Sequence, residues 1–261
     1  MTDLFENTPS KKNQYTAKDI EVLEGLEPVR KRPGMYIGGT DEPALHHLAA
    51  EVLDNSMDEA VAGHASWIEF DLSADGFVTT RDNGRGIPVD PHPKFKDKSA
   101  LEIVLTTLHS GGKFGGDVYK TSGGLHGVGL SVVNALSVKL HVEIARDKKL
   151  WTQSYSRGKP LGKLKDNGKA ANKRGTTICF KPDPEIFGDK AVFRPSTLFN
   201  TLQRFNALKR SSTLFLPPFH PLHTSRNDSL VNDTNSDEAK AGGPILPQGG
   251  HPQPHWGRPW G

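Results

Sequence analysis

The chain has 261 residues, 34% of them hydrophobic, and a formal net charge of +3. That length suits one large domain or two small ones, and the low hydrophobic share implies that part of the chain lacks a packed core. A single cysteine, Cys179, excludes an internal disulfide and a thiolate metal site, and the net charge is too small to argue for a nucleic-acid surface by itself. The first residues, MTDLFENTPSKKNQ, lack the apolar core of a secretory signal, and no run reaches the ~18 apolar residues of a membrane helix. The expectation is a soluble, cytoplasmic protein with no membrane partner.

Residues 1–14 are polar and read as a flexible arm. Ile20, Leu23 and Leu26 predict a short helix stopped by Pro28, and Pro33-Gly34 and Gly38-Gly39 predict turns. From Ala44 to Gly63 the residues Leu45, Leu48, Ala49, Val52, Leu53, Met57, Ala60 and Val61 fall on one helical stripe. The opposite face carries Glu51, Asp54, Asn55, Asp58 and Glu59 with no basic residue among them. Such a face repels itself unless a cation or polar ligand sits on it; an ordinary acidic surface helix is the competing reading. Ile68, Phe70 and Leu72 alternate as a strand, Asp75-Gly76 signals a hairpin, and Phe77–Thr80 returns.

That strand runs into Asp82-Asn83-Gly84-Arg85-Gly86-Ile87-Pro88, a loop whose backbone can approach a ligand closely. Residues 89–98 read as a Pro/Lys loop, and Ser99 with Glu102 as a capping box opening a helix through about His109. Two glycine-rich stretches follow, SGGKFGG from Ser110 and SGGLHGVG from Ser122, separated only by DVYKT. Together they read as a hinged lid over a site. The second feeds a helix from Leu130 to Leu136, so free backbone N–H groups and the helix dipole favour phosphate there, with Lys113 and Lys120 in reach. Neither the P-loop nor the dinucleotide fingerprint is present. Strands follow at Val138–Ile144, Leu150–Tyr155 and Gly175–Phe180, the last two joined by a basic connection, Arg157–Lys173. Ser196 is placed to cap a helix through about Phe205, and the Pro/His/Gly/Ser-rich remainder reads as a disordered tail.

The segments YTAKDIEVLEGLEPVRKRPGMYIGGT, EVLDNSMDEAVAGHA, RDNGRGIP, HSGGKF and YKTSGGLHGVGLSVVNALS, in this order, resemble the N-terminal GHKL ATPase domain of bacterial type II topoisomerase B subunits. The likeness runs from about Tyr15 to Phe199 and is greater to topoisomerase IV than to gyrase B subunits. It implies an α+β two-layer sandwich, a mixed sheet with helices on one face, over residues 15–205, with a non-family tail from 206 to 261. It also implies ATP and Mg²⁺ as cofactors. Glu51 is then the general base, and Asn55 the metal ligand. Asp82 accepts from the adenine amino group, with Thr176 supporting it through water. Gly124, Leu125, His126, Gly127, Val128, Gly129 and Leu130 wrap the triphosphate. Tyr15 belongs to an arm that reaches the nucleotide of a second subunit, so that ATP drives homodimerisation. Arg146 lies at the mouth of the adenine pocket. The A subunit and DNA are partners in the full enzyme. The family's transducer domain, which contributes a lysine to the γ-phosphate, has no counterpart in the residues after about 200, so a nucleotide-binding fragment without turnover is the alternative expectation.

Overall fold

The computed structural model describes residues 22–110, 128–207 and 213–215. Its centre is α3 (Glu42–Val61), which starts where the Asp41 carboxylate accepts from the Ala44 N–H at 3.2 Å, with a proline in its first turn. Leu45, Leu48, Ala49, Val52, Leu53, Met57 and Ala60 are buried as the stripe predicts. Val61 is not: at the last helical position it is 53% exposed.

Before it lie α1 (Glu27–Lys31) and α2 (Gly34–Ile37). The expected helix ending at Pro28 is absent from Val22–Glu24; instead Pro28 opens α1. A proline has no N–H to lose in a first turn, where that donor has no intrahelical acceptor anyway. Pro33-Gly34 likewise begins α2 and does not form an isolated turn.

The main sheet contains β1 (Trp67–Leu72), β2 (Val78–Asp82), β5 (Ser137–Arg146), β6 (Lys149–Ser156), β7 (Lys159–Pro160), β8 (Lys165–Lys169), β9 (Gly175–Pro182) and β10 (Thr213–Phe215). Its order is β10-β1-β2-β9-β5-β6-β7, with β8 also pairing β6. All pairs are antiparallel except β1–β10, which is parallel, so the sheet is mixed. β3 (Pro91–His92) and β4 (Phe95–Ser99) form a separate hairpin where a plain loop was expected. Similarly, β7 and β8 lie within the expected connection Arg157–Lys173. These short, polar strands bury too little to leave an alternating signal.

Ser99 caps α4 (Ala100–Thr106), its hydroxyl accepting from the Glu102 N–H at 3.1 Å. The Glu102 carboxylate accepts from Gln153 at 3.0 Å and thereby ties α4 to β6. α5 (Gly129–Ala135), α6 (Pro184–Phe187) and α7 (Pro195–Ala207) complete the described elements. Ser196 lies inside α7 and does not cap it, because the helix already starts at Pro195. β10 lies beyond residue 205 and continues the sheet. α3 and α5 pack on the face where Ile68, Phe70, Val78, Leu140, Val142, Ile144, Ile178 and Phe180 are buried. The architecture is a two-layer α+β sandwich.

A buried ionic knot closes one end of it. The fully buried Asp183 carboxylate accepts from Arg157 Nε at 2.8 Å, lies 2.8 Å from an Arg30 guanidinium nitrogen, and caps α6 through the Glu185 N–H at 3.2 Å. Arg30 also donates to the Ala135 carbonyl at 2.7 Å, at the C-terminus of α5. Burial pushes the Asp183 carboxyl up, but hydrogen bonds from Arg157 and Arg30 prevail and hold it below the usual range. Asp183→Asn is expected to cost about 2–3 kcal/mol at neutral pH, the worth of a charge-assisted bond. Because the folded value is depressed, the wild type's advantage is present above the unfolded value near ~4 and vanishes as pH falls through the lower folded one. Urea titrations of both proteins across acidic pH check this.

Candidate functional site

The site is built where β2 ends beneath α3. Asp82, the last residue of β2, is 4% exposed, facing the helix layer like Val78 and Thr80 before it. One carboxylate oxygen accepts from the Gly84 N–H at 2.8 Å and the Thr176 N–H at 3.3 Å; the other accepts from the Ser56 hydroxyl at 2.9 Å. β2, β9 and α3 therefore meet on one side chain. Burial pushes this carboxyl up to about 6, against the three hydrogen bonds, and Glu59 adds to the rise. Gly175, next to Thr176, has φ +116°, and a Cβ there would run into the Asp82 carbonyl. Only glycine lets β9 approach the loop this closely.

The loop after Asp82 is held on several sides. The Glu59 carboxylate accepts from the Arg85 N–H at 2.8 Å and from its guanidinium at 2.7 Å. Arg146 Nη1 donates to the Gly86 carbonyl at 2.9 Å, which places Arg146 against this loop. The Asn83 side chain accepts from the Ser66 and Trp67 N–H groups at 2.9 and 3.0 Å. A loop so fully bonded is a preformed wall.

Further along α3, the structure corrects the picture of a uniformly acidic, uncompensated face. Asp58 is buried at 4% exposure, Glu59 is neutralised by Arg85, and Glu51 lies 3.0 Å from His47 Nε2, one turn earlier. Arg85 comes from the loop after β2, so the helix sequence does not show it, whereas His47 lies one turn before Glu51 on α3 itself. His47 is the residue that sequence reasoning missed; its signal is the i, i+4 spacing to Glu51. The hydrogen bond to Glu51 raises the imidazole above its ordinary value despite burial.

Glu51 is also where a second helix closes in. A Cβ on Gly129 would fall on the Glu51 carboxylate, so the first turn of α5 lies directly against it. Gly129 is thereby brought to Glu51, between its chain neighbours Val128 and the buried Leu130. Asn55 follows Glu51 by four residues on α3, and its side chain makes no hydrogen bond to another described residue. The structure thus gathers Glu51, Asn55, Asp82, Thr176, Val128, Gly129 and Leu130 around the α3–sheet junction. Tyr15, Lys113, Lys120, Gly124, Leu125, His126 and Gly127, and most of the expected lid and tail, lie outside the described residues, but Thr213–Phe215 of the expected disordered tail form β10.

Comparison with known proteins places the chain in a family. The family model described as histidine kinase-, DNA gyrase B-, and HSP90-like ATPase matches residues 40–186. The chain is 58% identical over 219 residues to the B subunit of DNA topoisomerase 4 from Rickettsia felis, covering 82% of this chain and 33% of that protein. It is 63% identical over 192 residues to the corresponding topoisomerase 4 protein of Caulobacter vibrioides, covering 74% and 28%. To the B subunit of DNA gyrase from Thermotoga maritima it is 56% identical over 190 residues, covering 73% and 29%. It thus spans about a third of the length of these relatives. A solved structure, the 43K ATPase domain of Thermus thermophilus gyrase B in complex with an aminocoumarin, matches with TM-score 0.61 and 46% identity. That match covers 69% of this chain and 44% of the other. Fold and sequence agree: the chain belongs to the histidine kinase-, DNA gyrase B- and HSP90-like ATPase family.

Proposed function

We propose that this segment binds ATP between α3 and the sheet and hydrolyses it as the ATPase module of a topoisomerase IV-like B subunit. The observation that carries the reading is the Asp82 carboxylate, buried yet bonded on both oxygens, one of them to Ser56 of the helix that also carries Glu51 and Asn55. In this reading the ionised carboxylate accepts from the adenine amino group, with Thr176 beside it. Glu51 takes the proton of the attacking water, and His47 positions that carboxylate. The triphosphate runs along the first turn of α5, with the glycine-rich stretch Gly124–Gly127, Lys113 and Lys120 completing its shell.

The residues present fit a magnesium ion. Mg²⁺ is bound by one or two protein oxygens together with substrate phosphates, and Asn55 supplies an amide oxygen free of other described partners. No cluster of three His, Cys, Asp or Glu side chains exists among the described residues, so a dedicated all-protein metal cage is not what Asn55 serves. When bound, the ion supplies charge neutralisation at the β- and γ-phosphates.

Dimerisation through the arm bearing Tyr15, and action on DNA with an A subunit, belong in this reading to the longer protein. There, ATP-driven dimerisation closes the DNA clamp. The expected location is the bacterial cytoplasm, at the nucleoid.

Glu51→Gln is expected to lower single-turnover phosphate release by ~10²–10⁴-fold while leaving ATP binding intact, the usual worth of a general base. Intact binding with no Glu51-dependent turnover would reduce the reading to a nucleotide-holding segment. Asn55→Ala is expected to abolish the increase in affinity that Mg²⁺ gives in calorimetric titration of a non-hydrolysable ATP analogue.

Asp82→Asn keeps the shape and, through its amide, a bond to Ser56, but its nitrogen no longer accepts. Affinity is expected to fall by ~1.5–3 kcal/mol, roughly 10–200-fold. The same change has the opposite effect on the nucleotide-free fold. A carboxyl raised to about 6 binds its proton more tightly folded than unfolded, so wild-type stability falls as pH rises from ~4 to about 6. Thermal melts are expected to show that slope in the wild type and lose it in Asp82→Asn.

A further inference from the structure

The modest net charge of the chain conceals a strong separation. Residues 146–174 carry ten Lys and Arg against two Asp, whereas the rest of the chain carries 23 against 28. Within that segment Lys148, Lys149, Lys159, Lys163, Lys165, Lys169, Lys173 and Arg174 are all exposed. They lie on the β5–β6 turn, on β6, on β7 and β8, and on the connections to β9.

β8 is the unusual element. Its five residues, Lys-Asp-Asn-Gly-Lys, are exposed throughout, so it buries no apolar side chain and adds nothing to the core. Lys149 stands directly opposite Lys169 in the ladder, a like-charge pairing that disfavours the strand. The two acids are already engaged, Asp166 with Lys149 at 2.7 Å and Asp147 with Arg146 at 3.5 Å. Lys148, Lys159, Lys163, Lys165 and Lys169 have no ion-pair partner among the described residues. One or two lysines suffice to guard a sheet edge against aggregation. Five uncompensated ones, two of them on a strand with no core role, make a positive field that calls for a polyanion.

We propose that the ribbon of β6, β7 and β8 docks the phosphate backbone of duplex DNA without reading its sequence. Lysine ammoniums are compact point charges suited to phosphate, and Lys165 and Lys169, four residues apart on one strand, sit ~13 Å from each other, far enough to meet separate phosphates. The segment offers no stacking platform for unpaired bases: Trp151 is half-buried with the Lys149 ammonium 5.4 Å above its ring, and Tyr155 is fully buried. That favours a duplex over a single strand. A bilayer is disfavoured because the segment exposes one large apolar side chain, Leu161, and no amphipathic face. This surface does not depend on the nucleotide reading, since none of its lysines belongs to the site around Glu51 and Asp82.

The test compares the full chain with K163Q/K165Q/K169Q and with a control, K94Q/K96Q/K190Q, which removes equal charge from exposed lysines elsewhere. Anisotropy of a fluorescent duplex is followed across a salt series. The wild type and the control are expected to bind alike, and the ribbon variant to bind at least roughly tenfold more weakly, with its log–log salt slope reduced by roughly 2.7. ATP-analogue binding is expected to be equal in all three, showing that each is folded. Equal duplex binding by the two variants would overturn the proposal and leave the lysines as edge guards. A ribbon variant that loses binding only to anionic phosphatidylglycerol vesicles, or only the ATP association rate, would overturn it as well.

Discussion

One buried carboxylate organises this domain. Asp82 sits in a place where ionisation is costly, and the structure supplies two N–H groups and a hydroxyl to make it tolerable. Each of those donors comes from a different element, so the charge acts as a joint between helix layer, loop and sheet. Gly175 has a left-handed φ and no Cβ because a strand must pass this close to the loop backbone. A group so arranged favours any ligand that brings its own donor, since the ligand relieves a desolvation cost already incurred in folding.

The second constraint is the charge on α3. Its acidic side chains are not one solvated stripe: one is buried, one is clamped by the arginine of the loop, and one leans on a histidine. The helix therefore serves as the common wall of the site, its apolar stripe fixing the depth and its polar side chains distributed among separate partners. Where α5 meets this wall at Gly129, the absence of a side chain is what lets the two helices place a carboxylate against a helix N-terminus.

Much of this was legible in the residues. The long amphipathic helix, the strands around Ile68, Leu140 and Ile178, and the capping serine before Ala100 all follow from period and local chemistry, and the ordered motifs led to the family. The misreadings have physical reasons. Pro28 marks a helix start as readily as a stop, and Ser196 gave way to a proline one residue earlier. The hairpin at Pro91–Ser99 and the short strands β7 and β8 are largely exposed and polar, and carry no alternation. His47, Ser56 and Arg85 gain their importance through contacts across space, and only the first of these leaves a spacing clue. The basic character of Arg157–Lys173 was legible, but its pairing as strands with β6 was not.

Arg30 gives the last feature a mechanical meaning. It grips the carbonyl end of α5, the helix whose opposite end lies against Glu51, while its other nitrogen is anchored on Asp183. A helix of seven residues is only ~10 Å long, too short to bend, so it moves as a rod. The grip of Arg30 and the contact with Glu51 therefore lie at opposite ends of one stiff helix. Helix α1 and the Glu51 carboxylate are thereby joined through the two ends of α5.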